Sequence, residues 1–276
     1  MAVLSRANQF AISLTLLTLT LGTYYSYQNN TYLDTSNPLI ANLAHPHEAN
    51  SYFASKKTVL NQLFVKRAWG WTSAVFWAVW ILADERLVSG GVQTIDAVGR
   101  WFAATGVWMV FAGWFFGPSL FARFLSYSGG ECVISVPASS AQDFPHVISV
   151  PAAFCDTRIP VSPVTHPALF SDPALASFAG HQFKPDFKAV PRLYKGHDIS
   201  GHTFLLTLCT LFLIDALVRA RRGAATTPSV IAQVVGWGFV ALWLVMLGST
   251  AVYFHTWGEK ASAYGELVVS RLEPVN

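Results

Sequence analysis

Apolar runs approaching ~20 residues recur along this chain, and nothing else restricts its fold so strongly. A helix of ~20 apolar residues matches the ~30 Å hydrocarbon core of a bilayer and satisfies its own backbone polar groups there. Five stretches qualify, at about residues 8–27, 67–88, 100–121, 201–218 and 230–253. Charged residues form only 12% of the chain and the mean hydropathy is +0.40, whereas soluble domains carry roughly 25% charge. The expectation is an all-α polytopic membrane protein, a single integral membrane domain over residues 1–276. Its net charge of +3 forms no long basic run, so membrane lipids are expected partners and nucleic acid is not. The three cysteines contain no CxxC pair, which indicates neither a zinc site nor a thioredoxin-like centre, and no cofactor is expected.

Orientation rests on the short connector between the last two spans, which carries Arg219, Arg221 and Arg222. Such a cluster favours the cytosolic side. Residues 28–66 and 122–200 then lie outside or in a lumen. Lys56, Lys57, Lys66 and Arg67 fall on that same side, against the positive-inside trend. Asn29-Asn30-Thr31 is a glycosylation sequon on the lumenal side. The first span follows a lone Arg6 without a clear small-residue cleavage site and reads as a retained anchor. Trp69, Trp71, Trp101 and Trp257 fall near span ends, where indole rings favour the headgroup zone.

Residues 122–196 hold nine of the fourteen prolines and read as a long lumenal loop with some β character. The hexamer Val-Ile-Ser-Val-Pro-Ala occurs twice, at 133–138 and 147–152. A local duplication forming two short extended segments accounts for it. Cys132 and Cys155 flank the repeat and are positioned to pair in an oxidising lumen. Cys209, inside a span, reads as a packing residue.

Titratable chemistry concentrates at two places. Gly-His-Asp-Ile-Ser-Gly-His, residues 196–202, opens the fourth span, and Tyr-Phe-His-Thr-Trp-Gly-Glu-Lys, residues 253–260, closes the fifth. Two consecutive antiparallel spans bring His202 and His255 to one membrane face. If the helix continues past His255, Glu259 lies at i+4 and orients its ring. Asp198 is the equivalent neighbour of His202 if that helix starts early, and Ser200 caps or hydrogen-bonds. Asp215 lies thirteen residues from His202, ~20 Å along a helix, and is expected to pair with Arg219. His45, His47, His146, His166 and His181 sit in polar loops and carry no assigned chemistry.

At these residues the chain resembles the FIT family, the fat storage-inducing transmembrane proteins of the endoplasmic reticulum, and a fungal-type member in particular. The resemblance rests on GHDISGHTFLL and YFHTWGEK, with Asp34-Thr-Ser-Asn-Pro as weaker support. That family is related to the lipid phosphate phosphatases, whose SGH motif matches Ser200-Gly201-His202 and whose His-x-x-x-Asp motif matches His255 with Glu259. The resemblance implies a multi-pass endoplasmic reticulum protein with a lumenal active site. It also implies metal-independent hydrolysis of fatty acyl-CoA to acyl-4′-phosphopantetheine and adenosine 3′,5′-bisphosphate, in support of lipid droplet formation. His202, His255 and Glu259 would be catalytic; Ser200, Gly201, Asp198, Lys195 and Lys260 would bind substrate. The related phosphatases carry an arginine six residues before the second histidine, where this chain has Ser249; Lys195, Arg192 and Lys260 are candidate replacements. FIT proteins usually continue into a further span, for which residues 261–276 are too polar and short. The alternative is a non-catalytic neutral-lipid (diacylglycerol or triacylglycerol) binding protein that nucleates lipid droplets. A second rival uses the same histidines and carboxylates as a metal site.

Overall fold

The structure, a computed structural model, describes residues 6–33, 44–83, 91–112, 118–136, 146–157, 159–171, 186–220 and 226–272. Asp84-Glu85-Arg86, Arg221 and Arg222, the Asp34–Pro38 motif and His181 lie outside the described residues. In chain order the longer elements are α1 (Arg6–Asn29), α2 (Ala68–Ala83), α3 (Gly91–Ala112), α4 (Leu120–Tyr127), β1 (Glu131–Val136), β2 (His146–Ser149), β3 (Arg192–Tyr194), α5 (Gly201–Ala220), α6 (Thr227–Tyr253) and α7 (Trp257–Leu272). The chain divides into two compact units: Met1–Asp34, Ala44–Ala112 and Ile199–Asn276 form the first, Thr35–Leu43 and Gly113–Asp198 the second.

The first unit is helical and is centred on α5. Phe204, Leu206, Leu213, Ile214 and Leu217 are completely buried, as expected of a helix that is apolar on every side. Among the described residues, α5 and α6 are long and apolar enough to cross a membrane. They run antiparallel. At one end Gln233 Nε2 donates to the Leu217 carbonyl at 3.0 Å, and at the other Ser200 N–H donates to the Glu259 carbonyl at 3.2 Å. Asp215 meets Arg219 Nε at 2.9 Å, the expected i+4 pair. The helix α1 packs on α6 where a Cβ at Gly22 would lie 2.6 Å from the Ala251 Cβ, so a larger residue there would force the helices apart. The hydroxyls of Thr15, Thr18 and Thr20 in α1 return to carbonyls four residues back, which removes their need for water.

Two expectations are corrected here. The third apolar run is helical over Gly91–Ala112, not 100–121, and Ser119 caps a separate helix, α4. Residues 261–272, expected to be too polar and short to cross, belong to α7, which is not among the described helices long and apolar enough to span a membrane and packs on α1 through Tyr264, whose hydroxyl donates to the Ile12 carbonyl at 2.8 Å. Ala263 and Leu267 of α7 are buried, so this amphipathic helix closes the first unit.

The second correction concerns fold class, because the second unit is not all-α. It contains an antiparallel sheet in the order β2-β1-β3. The duplicated hexamers pair with each other, Ile134 opposite Ile148 and Val133 opposite Ser149. One face of the hairpin is apolar: Ile134, Val136, Ile148 and Val150 pack with Val161, Phe170 and Ala189. Cys132 and Cys155 form the expected disulfide, 5.8 Å between Cα atoms. A crosslink spanning 23 residues stabilises by about 3 kcal/mol through the restricted unfolded chain.

Candidate active site

The helix α6 ends at Tyr253, and the chain breaks for three residues before α7 begins at Trp257. This overturns the expectation of a continuous helix through His255. A helix end leaves four carbonyls without intrahelical donors, and each is satisfied here. The Thr250 carbonyl accepts from Phe254 N–H at 3.0 Å, and Ala251 accepts from Lys260 Nζ at 2.8 Å. Val252 accepts from the Thr31 hydroxyl at 2.8 Å, and Tyr253 from Leu33 N–H at 3.1 Å and His45 Nε2 at 2.9 Å. The break is therefore held from both sides of the sequence.

His255 sits in that break with φ +62°, a left-handed conformation that costs a non-glycine residue about 1–2 kcal/mol. Strain of this kind is retained where the surroundings over-determine it, and it clusters at functional sites. Its Nδ1 lies 3.3 Å from Glu259 Oε2, within ion-pair reach but without an aligned hydrogen bond. Glu259, 3% exposed, reaches back to the Thr256 N–H at 2.8 Å. That is one half of a capping box at the start of α7. The predicted His255–Glu259 neighbourhood is thus made by a turn and a cap, not by one helix face. Burial pushes the Glu259 carboxyl up, but His255 and the Thr256 N–H outweigh it and hold it below the usual carboxylate range.

His202 lies in the first turn of α5. Ser200 caps that turn, its Oγ accepting from Thr203 N–H at 3.3 Å, and the Ser200–Glu259 backbone bond ties the start of α5 to the start of α7. His202 and His255 lie at the same end of the antiparallel α5–α6 pair. Gly201 is exposed, and a Cβ there would meet nothing within 4 Å.

The other expected ligands are held differently. Because α5 starts at Gly201, Asp198 is not a helical neighbour of His202, and it belongs to the second unit. Lys195, also of the second unit, contacts Glu131 at 2.8 Å. Gly196 turns the chain with φ +71°, where a Cβ would meet the Leu125 carbonyl at 2.5 Å. Lys260 is 3% exposed and caps α6; burial pushes its ammonium down to about 8, with Glu259 opposing. Among the described residues no group of three or more His, Cys, Asp or Glu converges as a metal site requires.

Sequence reasoning missed His45. The ring is buried, its Nδ1 accepts from His47 N–H at 3.1 Å, and its Nε2 therefore carries the proton donated to Tyr253. Burial lowers its pKa, which favours this neutral form. Ser249 was noted only for the arginine it replaces; its hydroxyl donates to the Phe53 carbonyl at 3.2 Å. No local spacing links residues this far apart.

A model of the fat storage-inducing transmembrane protein family, FIT, matches residues 49–233 and 218–269. The chain belongs to the FIT family. It is 30% identical over 218 residues to acyl-coenzyme A diphosphatase fit1 of Schizosaccharomyces pombe, covering 78% of this chain and 68% of that protein. It is 24% identical over 217 residues to human acyl-coenzyme A diphosphatase FITM2, covering 76% and 66%. With the zebrafish (Danio rerio) protein of the same name it shares 26% over 211 residues, covering 74% and 65%. These alignments span about two thirds of the relatives' length. No solved structure matches the chain. Both histidine motifs fall inside the matched region of this FIT protein.

Proposed function

We propose that this FIT protein is an acyl-coenzyme A diphosphatase that hydrolyses the pyrophosphate of fatty acyl-CoA, giving acyl-4′-phosphopantetheine and adenosine 3′,5′-bisphosphate. The observation that carries the reading is the backbone bond from Ser200 to Glu259, which joins the two histidine motifs at one end of an apolar helix pair. An acyl tail in the bilayer with its pyrophosphate at the surface needs catalytic groups at such a mouth. Glu259 faces Nδ1 of His255, leaving Nε2 to attack. In the first step the Nε2 lone pair forms a bond to phosphorus, and the bridging P–O bond breaks. His202 gives its proton to the departing phosphate oxygen. Water then cleaves the phosphohistidine. Gly201 leaves open space beside the first turn of α5, and a helix N-terminus favours a phosphate there. Ser200 sets that turn, while Lys260 acts through α6 by holding Ala251.

Purified full-length protein in detergent should cleave acyl-CoA in the presence of chelator. Absence of cleavage in a folded preparation returns the reading to a neutral-lipid-binding protein, and dependence on a bound metal returns it to the metal site.

The same reading makes α1, α2 and α3 spans alongside α5 and α6 in an endoplasmic reticulum membrane, with the site in the lumen and a role in lipid droplet formation. Tags within residues 219–229 should be cytosolic and tags within 140–190 lumenal, by the arginine asymmetry of the α5–α6 connector. Protease protection of both tags on one side refutes this layout.

A further inference from the structure

His45 belongs to no helix or strand, yet it is buried against the end of α6. Its Nδ1 accepts from the His47 N–H at 3.1 Å, so Nε2 carries the proton and donates to the Tyr253 carbonyl at 2.9 Å. The same carbonyl accepts from the Leu33 N–H at 3.1 Å. A carbonyl oxygen has two lone pairs, and both are taken. The His45 ring also meets Phe254 in a T-shaped contact, centroids 5.5 Å apart, and Tyr253 in another at 5.7 Å. The Ser51 hydroxyl donates to Tyr253 Oη at 2.9 Å, which fixes the stretch after His45 to the same residue.

In an uninterrupted helix the Tyr253 carbonyl would accept from the N–H four residues on, that of Trp257. Here that N–H is directed instead at Tyr27 Oη, 3.5 Å away. Outside donors on the Tyr253 carbonyl thus keep α6 and α7 from joining through His255. A joined helix would return His255 from φ +62° to the right-handed region. The left-handed form is the less favourable one, so it lasts only while both of its sides are held. Upstream, the Tyr253–Phe254 peptide is held at its oxygen by His45 and Leu33, and its N–H donates to the Thr250 carbonyl at 3.0 Å. Downstream, the Thr256 N–H donates to Glu259 at 2.8 Å. Leu33 and Thr250 act through their backbones; His45 and Glu259 act through side chains.

We propose that His45 is a positioning residue for His255: its Nε2–H and its ring hold Tyr253 and Phe254 so that the nucleophile is presented left-handed between two helices. The reaction of His255 rests on the diphosphatase reading, whereas the hold rests on these contacts alone. His45 acts through the backbone of His255 and not on the substrate. A reacting group displaced by about 1 Å can lose on the order of a hundredfold in rate, so a small backbone change here suffices. The Leu33 N–H stays on the Tyr253 carbonyl when His45 is replaced. The oxygen is then not left unsatisfied, and the fold survives the loss of the histidine.

Two amides separate the roles of the ring nitrogens. Glutamine can place an N–H where Nε2 lies and keep the donor to Tyr253; asparagine reaches only as far as Nδ1 and loses it. Full-length protein in detergent is assayed for kcat and KM on acyl-CoA. The carbethoxylation rate of His255 by diethyl pyrocarbonate is read separately by peptide mass spectrometry. His45→Asn should lower kcat by about tenfold to a hundredfold with KM within about twofold, and should change the His255 carbethoxylation rate several-fold. His45→Gln should hold kcat within about threefold of wild type and restore the His255 rate. His45→Phe keeps a ring against Phe254 but no donor; it should follow His45→Asn, and it serves where the asparagine variant does not fold. His47→Ala should behave as wild type, because His47 offers His45 its backbone N–H. A folded His45→Asn protein with wild-type kcat and wild-type His255 reactivity overturns the proposal. So do equal losses in the asparagine and glutamine variants that track a fall in Tm, which would make His45 a packing residue only. His255 reactivity that follows the His45 donor in a protein that does not cleave acyl-CoA leaves the positioning role and removes the diphosphatase reading.

Discussion

Replacing His255 with alanine is expected to abolish acyl-CoA cleavage. Its ring has the Glu259 carboxylate 3.3 Å behind Nδ1, the arrangement that orients a nucleophilic imidazole. Because His255 occupies a left-handed position, His255→Asn is the better-tolerated companion, since Asn adopts φ > 0 more readily than alanine. It should be equally inactive. Glu259→Gln should keep substantial activity, because the amide oxygen can still accept from Thr256 and face the ring. It cannot stabilise the imidazolium character that develops at His255. His202→Ala should slow cleavage by ~10²–10⁴-fold for substrates with poor leaving groups and less for activated ones, the signature of a general acid. Cleavage rates on an acyl-CoA and on an activated aryl phosphate ester, with thermal melts to establish folding, check all four proteins. Full activity of folded His255→Ala or His255→Asn ends the enzymatic reading of this site.

Lys260→Met is expected to lower stability and activity together. Methionine matches the length of the stem but removes the donor to Ala251, leaving a buried carbonyl unsatisfied at a cost of about 1–3 kcal/mol. The contact joins the last turn of α6 to the first turn of α7, the two ends that hold His255. Loosening it should reduce kcat more than it raises KM. Titration gives a second readout. The folded-state value of Lys260 lies near 8, against 10.5 ordinarily, so between these values the unfolded chain binds more protons than the folded one. Stability therefore rises with pH from about 8 to 10.5 in the wild type. Methionine removes that rise. Glu259 acts in the opposite range: its lowered folded value gives stability above the ordinary 4.5 that is lost as pH falls through it. Lys260→Met leaves the acid limb in place. Thermal melts from pH 4 to 10.5 measure both limbs, and an alkaline rise that persists in Lys260→Met rejects this account.

Much of the architecture was written in local patterns. The apolar runs produced α5 and α6, and their antiparallel sense follows from a short connector between consecutive helices. That alone puts His202 and His255 at one end. The Asp215–Arg219 pair needs only helical spacing, and the duplicated hexamers needed only strand alternation to form β1 and β2. Proximity in sequence misled where GHDISGH was concerned, since Gly196, His197 and Asp198 belong to one compact unit and Ile199 to His202 to the other. A linear motif carries no mark of that division.

Sequence alone therefore determined which histidines are candidates for the chemistry and that they share one end of the helix pair, because the helix pair and its sense follow from short-range periodicity. Tertiary structure decided how His255 is presented. A helix stops where its last carbonyls find better donors than its own next turn, and here those donors come from Thr31, Leu33 and His45 on one side and Lys260 on the other. Thr31, Leu33 and His45 are supplied by packing across more than 200 residues. The break and the strained histidine thus exist only once the chain has folded.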